Sequence, residues 1–171
     1  MKVQEAIKLS DSTQMFGIFG YASLLLFKDE GFKSQLGLVA EHGDFEQEIL
    51  TQSIGAQAHP ELGVPTLHRG ESVYAAVLLS VPAESDRDLG NLKMNFVITT
   101  KNEEVSQFGE EIAYRSGLFP KGNSGLIPFY IRWEVDDSIK ESGTYIITAK
   151  IQEDGGPLKL ELSEKVQVSL K

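Results

Sequence analysis

Residues 128–149 constrain the fold more than any other stretch of the chain. Two sets of side chains alternate along its first part: the apolar set is Phe129, Ile131, Trp133 and Val135, and the more polar set is Tyr130, Arg132 and Glu134. Strict alternation puts apolar side chains on one face of a strand and polar side chains on the other. The pattern therefore predicts a half-buried antiparallel strand.

The second part of the same stretch predicts the corner of a sandwich. In immunoglobulin-like sandwiches a tyrosine near the start of the penultimate strand bonds back to the backbone at such a corner, two residues before a core position. Tyr145 and Ile147 have this spacing, after a turn that contains Asp136 and Asp137. We therefore predict an all-β fold, an antiparallel immunoglobulin-like β-sandwich, with Trp133 and Tyr145 in its core.

Other segments fit this architecture. Residues 72–81 are apolar at both odd and even positions, which indicates a central strand covered on both faces. Residues 145–170 form a predicted hairpin around a glycine-containing turn, and charges in its second strand, including Glu164, suggest a sheet edge.

The N-terminal third predicts strands at 14–28 and 35–41 and one short helix at 44–57. We expect a single domain spanning 1–171, in which residues 1–65 pack on a core sandwich of residues 66–171.

Composition excludes several function classes. The chain of 171 residues carries 16 basic and 25 acidic residues, a net charge of −9, and shows no basic cluster, so we expect no nucleic-acid partner. The absence of cysteine excludes thiolate catalysis, cysteine-bound zinc and disulfides. The longest apolar run, residues 16–27, is shorter than the roughly 20 residues that cross a bilayer, and it predicts a buried strand rather than a transmembrane segment.

Catalytic motifs are also missing from the sequence. Residues 122–125, Gly-Asn-Ser-Gly, are one residue short of a nucleophile elbow, and no predicted helix follows them. The three histidines, His42, His59 and His68, match no metal-binding spacing and lie beside turn residues. We therefore predict no catalytic residues and no bound cofactor other than Ca²⁺.

The acidic loops could hold Ca²⁺. In an immunoglobulin-like strand order, the loop with Asp86 and Asp88 and the loop with Glu153 and Asp154 emerge at the same end of the sandwich. Four carboxylates there could contribute to the six to eight oxygen ligands that Ca²⁺ takes. The alternative is that these residues occupy turns because a short carboxylate side chain bonds its own backbone.

Leu118 and Phe119 are adjacent large apolar residues in a long loop. They could fold beneath the sandwich as a plug, which would bury their surface, or project as a contact for a partner. They are the candidate partner-contact residues of the sequence.

Residues 127–162 resemble the end of the pilotin-like family of secretion-associated lipoprotein chaperones. The similar segments are residues 128–131 (Pro-Phe-Tyr-Ile), 149–151 (Ala-Lys-Ile) and 158–160 (Leu-Lys-Leu). Residues 1–65 have no counterpart in that family, and the cysteine that carries the lipid is absent. The resemblance implies a protein of the cell envelope that binds a partner polypeptide, which favours a periplasmic or secreted location.

The sequence thus favours a non-catalytic binding or assembly module whose partner is a protein. Contact would be made by strand addition at an exposed edge or by a loop anchor. A Ca²⁺-dependent binding module is the alternative, and an enzyme without a recognisable motif is the third hypothesis.

Overall fold

The computed structural model describes residues 14–16, 20–28, 53–55, 61, 63–81, 90–115 and 125–171. These residues form nine β-strands and no α-helix. The strands are β1 (Gln14–Phe16), β2 (Gly20–Phe27), β3 (Thr66–His68), β4 (Ser72–Val81), β5 (Leu92–Thr100), β6 (Glu103–Tyr114), β7 (Gly125–Glu134), β8 (Gly143–Glu153) and β9 (Lys159–Ser169).

The strands build two sheets that pack face to face. The four-stranded sheet has the order β1-β2-β4-β7, and the five-stranded sheet has the order β3-β9-β8-β5-β6. Every pairing is antiparallel except the short parallel pairing of β3 with β9. The fold is an immunoglobulin-like β-sandwich, which confirms the fold class predicted from the alternating pattern.

The short helix predicted at 44–57 has no support in the structure. Most of this range, and the whole strand predicted at 35–41, lies outside the described residues. The exception is 53–55, where Ser53 forms an antiparallel bridge with Phe27 and the Ile54 N–H donates to the Leu26 carbonyl at 2.8 Å. Backbone that pairs with the edge of β2 is extended, so the helix prediction is wrong for these three residues.

The core lies between the sheets and contains both predicted aromatic residues. Trp133 and Tyr145 are 4% and 2% exposed, and their ring centroids are 5.6 Å apart. The Tyr145 hydroxyl donates to the Glu141 carbonyl at 2.7 Å. This bond is the tyrosine corner that the spacing predicted, and burial raises the pKa of Tyr145 above its ordinary value.

Strand β4 is buried on both faces, as its sequence predicted. It lies between β2 and β7 in the four-stranded sheet. One set of its side chains faces the core between the sheets: Val73, Ala75, Val77 and Leu79. The other set points to the opposite face and is also buried: Tyr74, Ala76 and Leu78. Burial on both faces explains why this strand lacks the polar alternation of its neighbour β7.

Strand β9 departs from the prediction of a charged sheet edge. Its C-terminal part is covered by β3, in a register that pairs Leu67 with Val168. Glu164, predicted as one of the edge charges, is 1% exposed on the inward side of the strand. Gly55 lies against it so closely that an added Cβ would collide with the Glu164 carboxylate. Only the absence of a side chain at position 55 permits this approach.

Loops at one end of the sandwich are joined by Arg69. Its guanidinium donates to the Asp136 carbonyl at 2.6 Å and to the Ile139 carbonyl at 3.1 Å. This connects the β3–β4 turn to the β7–β8 loop beside the tyrosine corner. Because β8 begins after this loop and ends at Glu153, the turn that follows Glu153 lies at the opposite end of the sandwich.

Candidate functional site

The Glu153 carboxylate organises one end of the sandwich. Although it terminates a strand at the surface, Glu153 is only 2% exposed. Its Oε2 accepts a hydrogen bond from the Gly90 N–H at 2.8 Å, and its Oε1 lies 3.4 Å from the Leu158 nitrogen. Gly156 packs so tightly against it that an added Cβ would collide with the carboxylate. Glu153 therefore joins the start of β5 to the β8–β9 turn.

Asp154, the next predicted metal ligand, is engaged in an ion pair. Its Oδ1 is 3.1 Å from the Lys93 ammonium, and its backbone N–H donates to the Asn91 carbonyl at 2.9 Å. The hydrogen bond and the charge of Asp154 raise the pKa of Lys93. Both described carboxylates of the predicted Ca²⁺ site thus have protein partners.

The remaining predicted Ca²⁺ ligands, Asp86 and Asp88, lie outside the described residues. Within the part of the chain that the structure describes, no group of three or more His, Asp or Glu side chains could hold a metal ion. His68 is exposed at the end of β3, where its backbone N–H donates to Glu71 Oε1 at 2.7 Å. The Ca²⁺ site stays a prediction.

The predicted partner-contact residues, Leu118 and Phe119, also lie outside the described residues. The flanking strands locate the two ends of their segment. Tyr114, at the end of β6, pairs with Leu92, and Gly125, at the start of β7, pairs with Val81. Leu92 in turn pairs with Glu153, so the segment leaves β6 at the Glu153 end of the sandwich.

Strands β6 and β7 form two sheet edges on the same side of the molecule. β6 ends the five-stranded sheet, β7 ends the four-stranded sheet, and the two strands contact each other. Among the described residues, no further strand pairs with either edge. Unpaired edges present backbone donors and acceptors that can accept another strand.

The β6 edge has features that discourage pairing. Twelve residues of β6 lie opposite nine of β5, and the register shifts at three places along the pair. Bulges of this kind bend a strand and interrupt its ladder. Four glutamates also lie along this strand: Glu103, Glu104, Glu110 and Glu111. Bulges and charges are the devices by which natural sheets protect an edge.

The β7 edge is regular. All ten of its residues pair with β4 in one continuous register, from Ser72 opposite Glu134 to Val81 opposite Gly125. Its charges compensate each other, because Arg132 lies 3.3 Å from Glu134. Tyr130 is 40% exposed on its outer face. Pro128 lacks an N–H, so an added strand would pair most completely along residues 129–134.

The four-stranded sheet has no described strand opposite β6, the last strand of the five-stranded sheet. Phe129 of β7 stacks on Phe96 of β5, with ring centroids 6.2 Å apart, so β7 lies across the core from β5. A strand added beside β7 would therefore face β6. In the described structure nothing occupies this position, and Phe108 of β6 is only partly buried, although its pairing with Phe96 turns it inward.

We call this region the β6–β7 seam. It comprises the free edge of β7 and the inward face of β6, with four partly buried apolar residues packed against the core: Phe108, Ala113, Phe129 and Ile131. The apolar core thus reaches the surface between two sheet edges. A pairing edge beside an apolar strip can bind an extended chain through backbone bonds and alternate side chains.

The sequence did not reveal the seam. It identified β7 from its alternation but contained no signal that β7 lies at an edge, because strand order depends on long-range pairing. It shows no regular alternation along β6, which spans Glu103–Tyr114. Bulges in β6 interrupt the period of two, which explains why its pattern was not recognised.

Comparison with known proteins does not assign the chain to a family. No protein-family model matches the sequence. No curated protein matches it either. The described part of the chain contains no helix that is long and apolar enough to span a membrane.

Several solved structures are similar to parts of the chain. The CARDB domain of a Pyrococcus furiosus protein, in complex with di-metal ions, is 12% identical over 63% of this chain and 87% of its own length, with a TM-score of 0.40. A Niemann-Pick type C2 protein from Japanese carpenter ant is 8% identical over 61% and 79%, with a TM-score of 0.39. A chitin binding domain from Burkholderia pseudomallei is 11% identical over 72% and 69%, with a TM-score of 0.35. Such low identities carry no inference about function.

Proposed function

We propose that the protein is a non-catalytic binding module that recognises a polypeptide partner in extended conformation, added as a strand beside β7. The observation that carries the proposal is the continuous, bulge-free edge of β7 opposite the inward face of β6, which no described strand covers. A strand in this position would extend the four-stranded sheet and would cover Phe108. The resemblance of residues 127–162 to pilotin-like chaperones, which implies a polypeptide partner, supports the same choice.

Backbone hydrogen bonds would supply most of the affinity. In an antiparallel ladder, alternate residues exchange both of their backbone bonds with the same neighbour, so residues 129–134 offer about six bonds to an added strand. Cross-strand side-chain pairs add roughly 0.2–1 kcal/mol each. Tyr130 and Arg132 are exposed on the outer face and would pair with the partner there. Such binding tolerates many sequences outside the positions that face the seam.

Amide hydrogen exchange tests the location of binding. Ten-residue peptides selected from a random display library against the purified protein serve as probes. We expect a bound peptide to slow exchange of amides within residues 129–134 and to leave the amides of β6 unchanged. Protection of β6 alone, or failure to select any peptide, would overturn the proposal.

Matched lysine substitutions on the two edges test the same point independently. Lysine at a sheet edge discourages pairing, and its long side chain can reach solvent. Ile131→Lys on β7 should abolish peptide binding, whereas Val105→Lys, at a 38% exposed position on β6, should change it less than twofold. Thermal melts establish that each variant folds. If Ile131→Lys does not fold, Tyr130→Ala replaces it, and there a several-fold loss is expected from the missing cross-strand contact.

A further inference from the structure

The inward face of β6 carries charge as well as apolar surface. Cross-strand partners in an antiparallel pair project to the same face of the sheet. Glu111 pairs with Met94, whose side chain is buried in the core, so Glu111 lies on the inward face, and yet it is exposed. Glu103 pairs with Thr100, six residues further along β5, and lies on the same face. Both carboxylates therefore border the position that a strand beside β7 would occupy.

Among the described residues, neither carboxylate forms an ion pair. Lys93, the basic residue of β5, lies 3.9 Å from Glu110 and 3.1 Å from Asp154 on the outer face. Arg132 of β7 pairs with Glu134 of its own strand. The net charge of −9 adds a long-range attraction for a positively charged partner. Among the described residues, the negative charge of the seam is thus not paired with a positive one.

We propose that the strand bound beside β7 carries basic side chains at two positions six residues apart and an apolar side chain between them, all on the face that meets β6. This inference rests on the proposed function and specifies its partner. The spacing follows from the inward residues of β5: Thr100, Ile98, Phe96 and Met94 pair with Glu103, Ser106, Phe108 and Glu111. Basic residues would meet the two glutamates, and the apolar residue would cover Phe108.

A second copy of this chain does not have this pattern at its own free edge. The inward residues of β7 that the seam exposes are Phe129 and Ile131, and neither is basic. Two copies paired through β7 would also bring two acidic seams together, which raises the electrostatic free energy of the pair. Sedimentation analysis should therefore find a monomer. A stable dimer whose formation excludes the peptide would overturn the inference.

A series of three synthetic peptides tests the charge pattern. They share one ten-residue backbone with threonine and valine on the outer face, an apolar residue opposite Phe108, and lysine, glutamine or glutamate at the two positions opposite Glu103 and Glu111. Two exposed ion pairs should make the lysine peptide bind roughly 2- to 20-fold more tightly than the glutamine peptide. The glutamate peptide should bind most weakly. High salt should reduce these differences.

Variants of β6 connect the preference to the named carboxylates. The double substitution Glu103→Gln and Glu111→Gln should remove the preference for lysine while leaving the glutamine peptide's affinity within twofold. Glu104→Gln is the matched control, because Glu104 pairs with Thr99 on the outer face and should keep the preference. An equal loss in the control would show a general attraction to an acidic protein and would overturn the inference.

The outcomes separate this inference from the proposed function. If all three peptides bind equally and protect the amides of residues 129–134, strand addition stands and the basic pattern is wrong. If no peptide protects those amides, both proposals fail.

Discussion

The close packing of Glu153 against Gly156 leads to a strong prediction about stability. Gly156 does not have a positive φ, so alanine is compatible with its backbone, and the atoms nearest to an added Cβ are those of the Glu153 carboxylate. In Gly156→Ala the carboxylate must move away and lose its bond to the Gly90 N–H. A hydrogen bond to a charged group contributes about 1.5–3 kcal/mol. We expect the free energy of unfolding to fall by this amount.

A double-mutant cycle isolates the cause. Glu153→Ala removes the carboxylate and with it the collision. In this background, Gly156→Ala should change the free energy of unfolding by less than about 0.5 kcal/mol. It could also raise that free energy by about 0.4–1 kcal/mol, because alanine restricts the unfolded chain. Urea unfolding followed by fluorescence measures each corner of the cycle, since Trp133 is the single tryptophan and is buried. Additive effects of the two substitutions would refute the steric argument.

Two further substitutions test the tyrosine corner at Tyr145 and the packing of Gly55 against the buried Glu164 carboxylate. Tyr145→Phe deletes the bond to the Glu141 carbonyl and should lower the free energy of unfolding by about 1–2 kcal/mol in urea titrations. Because burial raises the pKa of Tyr145, its contribution is complete below pH 10 and declines as pH rises through the folded-state pKa. The wild-type denaturation midpoint should therefore fall above pH 10 more steeply than that of the variant. Gly55→Ala, which collides with buried Glu164, should lower the melting temperature by several degrees, whereas Gly109→Ala, where an added Cβ meets nothing within 4 Å, should leave it nearly unchanged. Equal shifts in the two glycine variants would contradict the packing.

The sequence predicted those parts of the fold that local patterns determine. Alternation identified β7, and the spacing of Tyr145 after its turn identified the corner, because each depends on residues close together in the chain. The covered second face of β4 was predicted for the same reason. The parallel pairing of β3 with β9 involves residues about a hundred positions apart, and no local pattern encodes it.

The candidate site was less accessible to sequence reasoning. The two glutamates of the seam appear as ordinary charges of an irregular strand, and only their pairing with Met94 and Thr100 turns them inward. Glu153 was predicted as a loop ligand because acidic residues are common beside turns. Its burial depends on contacts from Gly90, more than sixty residues away. Those contacts arise only when the sheets assemble.

The side of the sandwich opposite the seam limits how copies of this protein can assemble. There the five-stranded sheet ends in β3, which is three residues long and held by a bond from the Gln167 N–H to the Pro65 carbonyl. The four-stranded sheet ends in β1, also three residues long. An open fibre needs two long complementary edges on every subunit. The described structure has one such edge at β7, so association through it would stop at a closed pair.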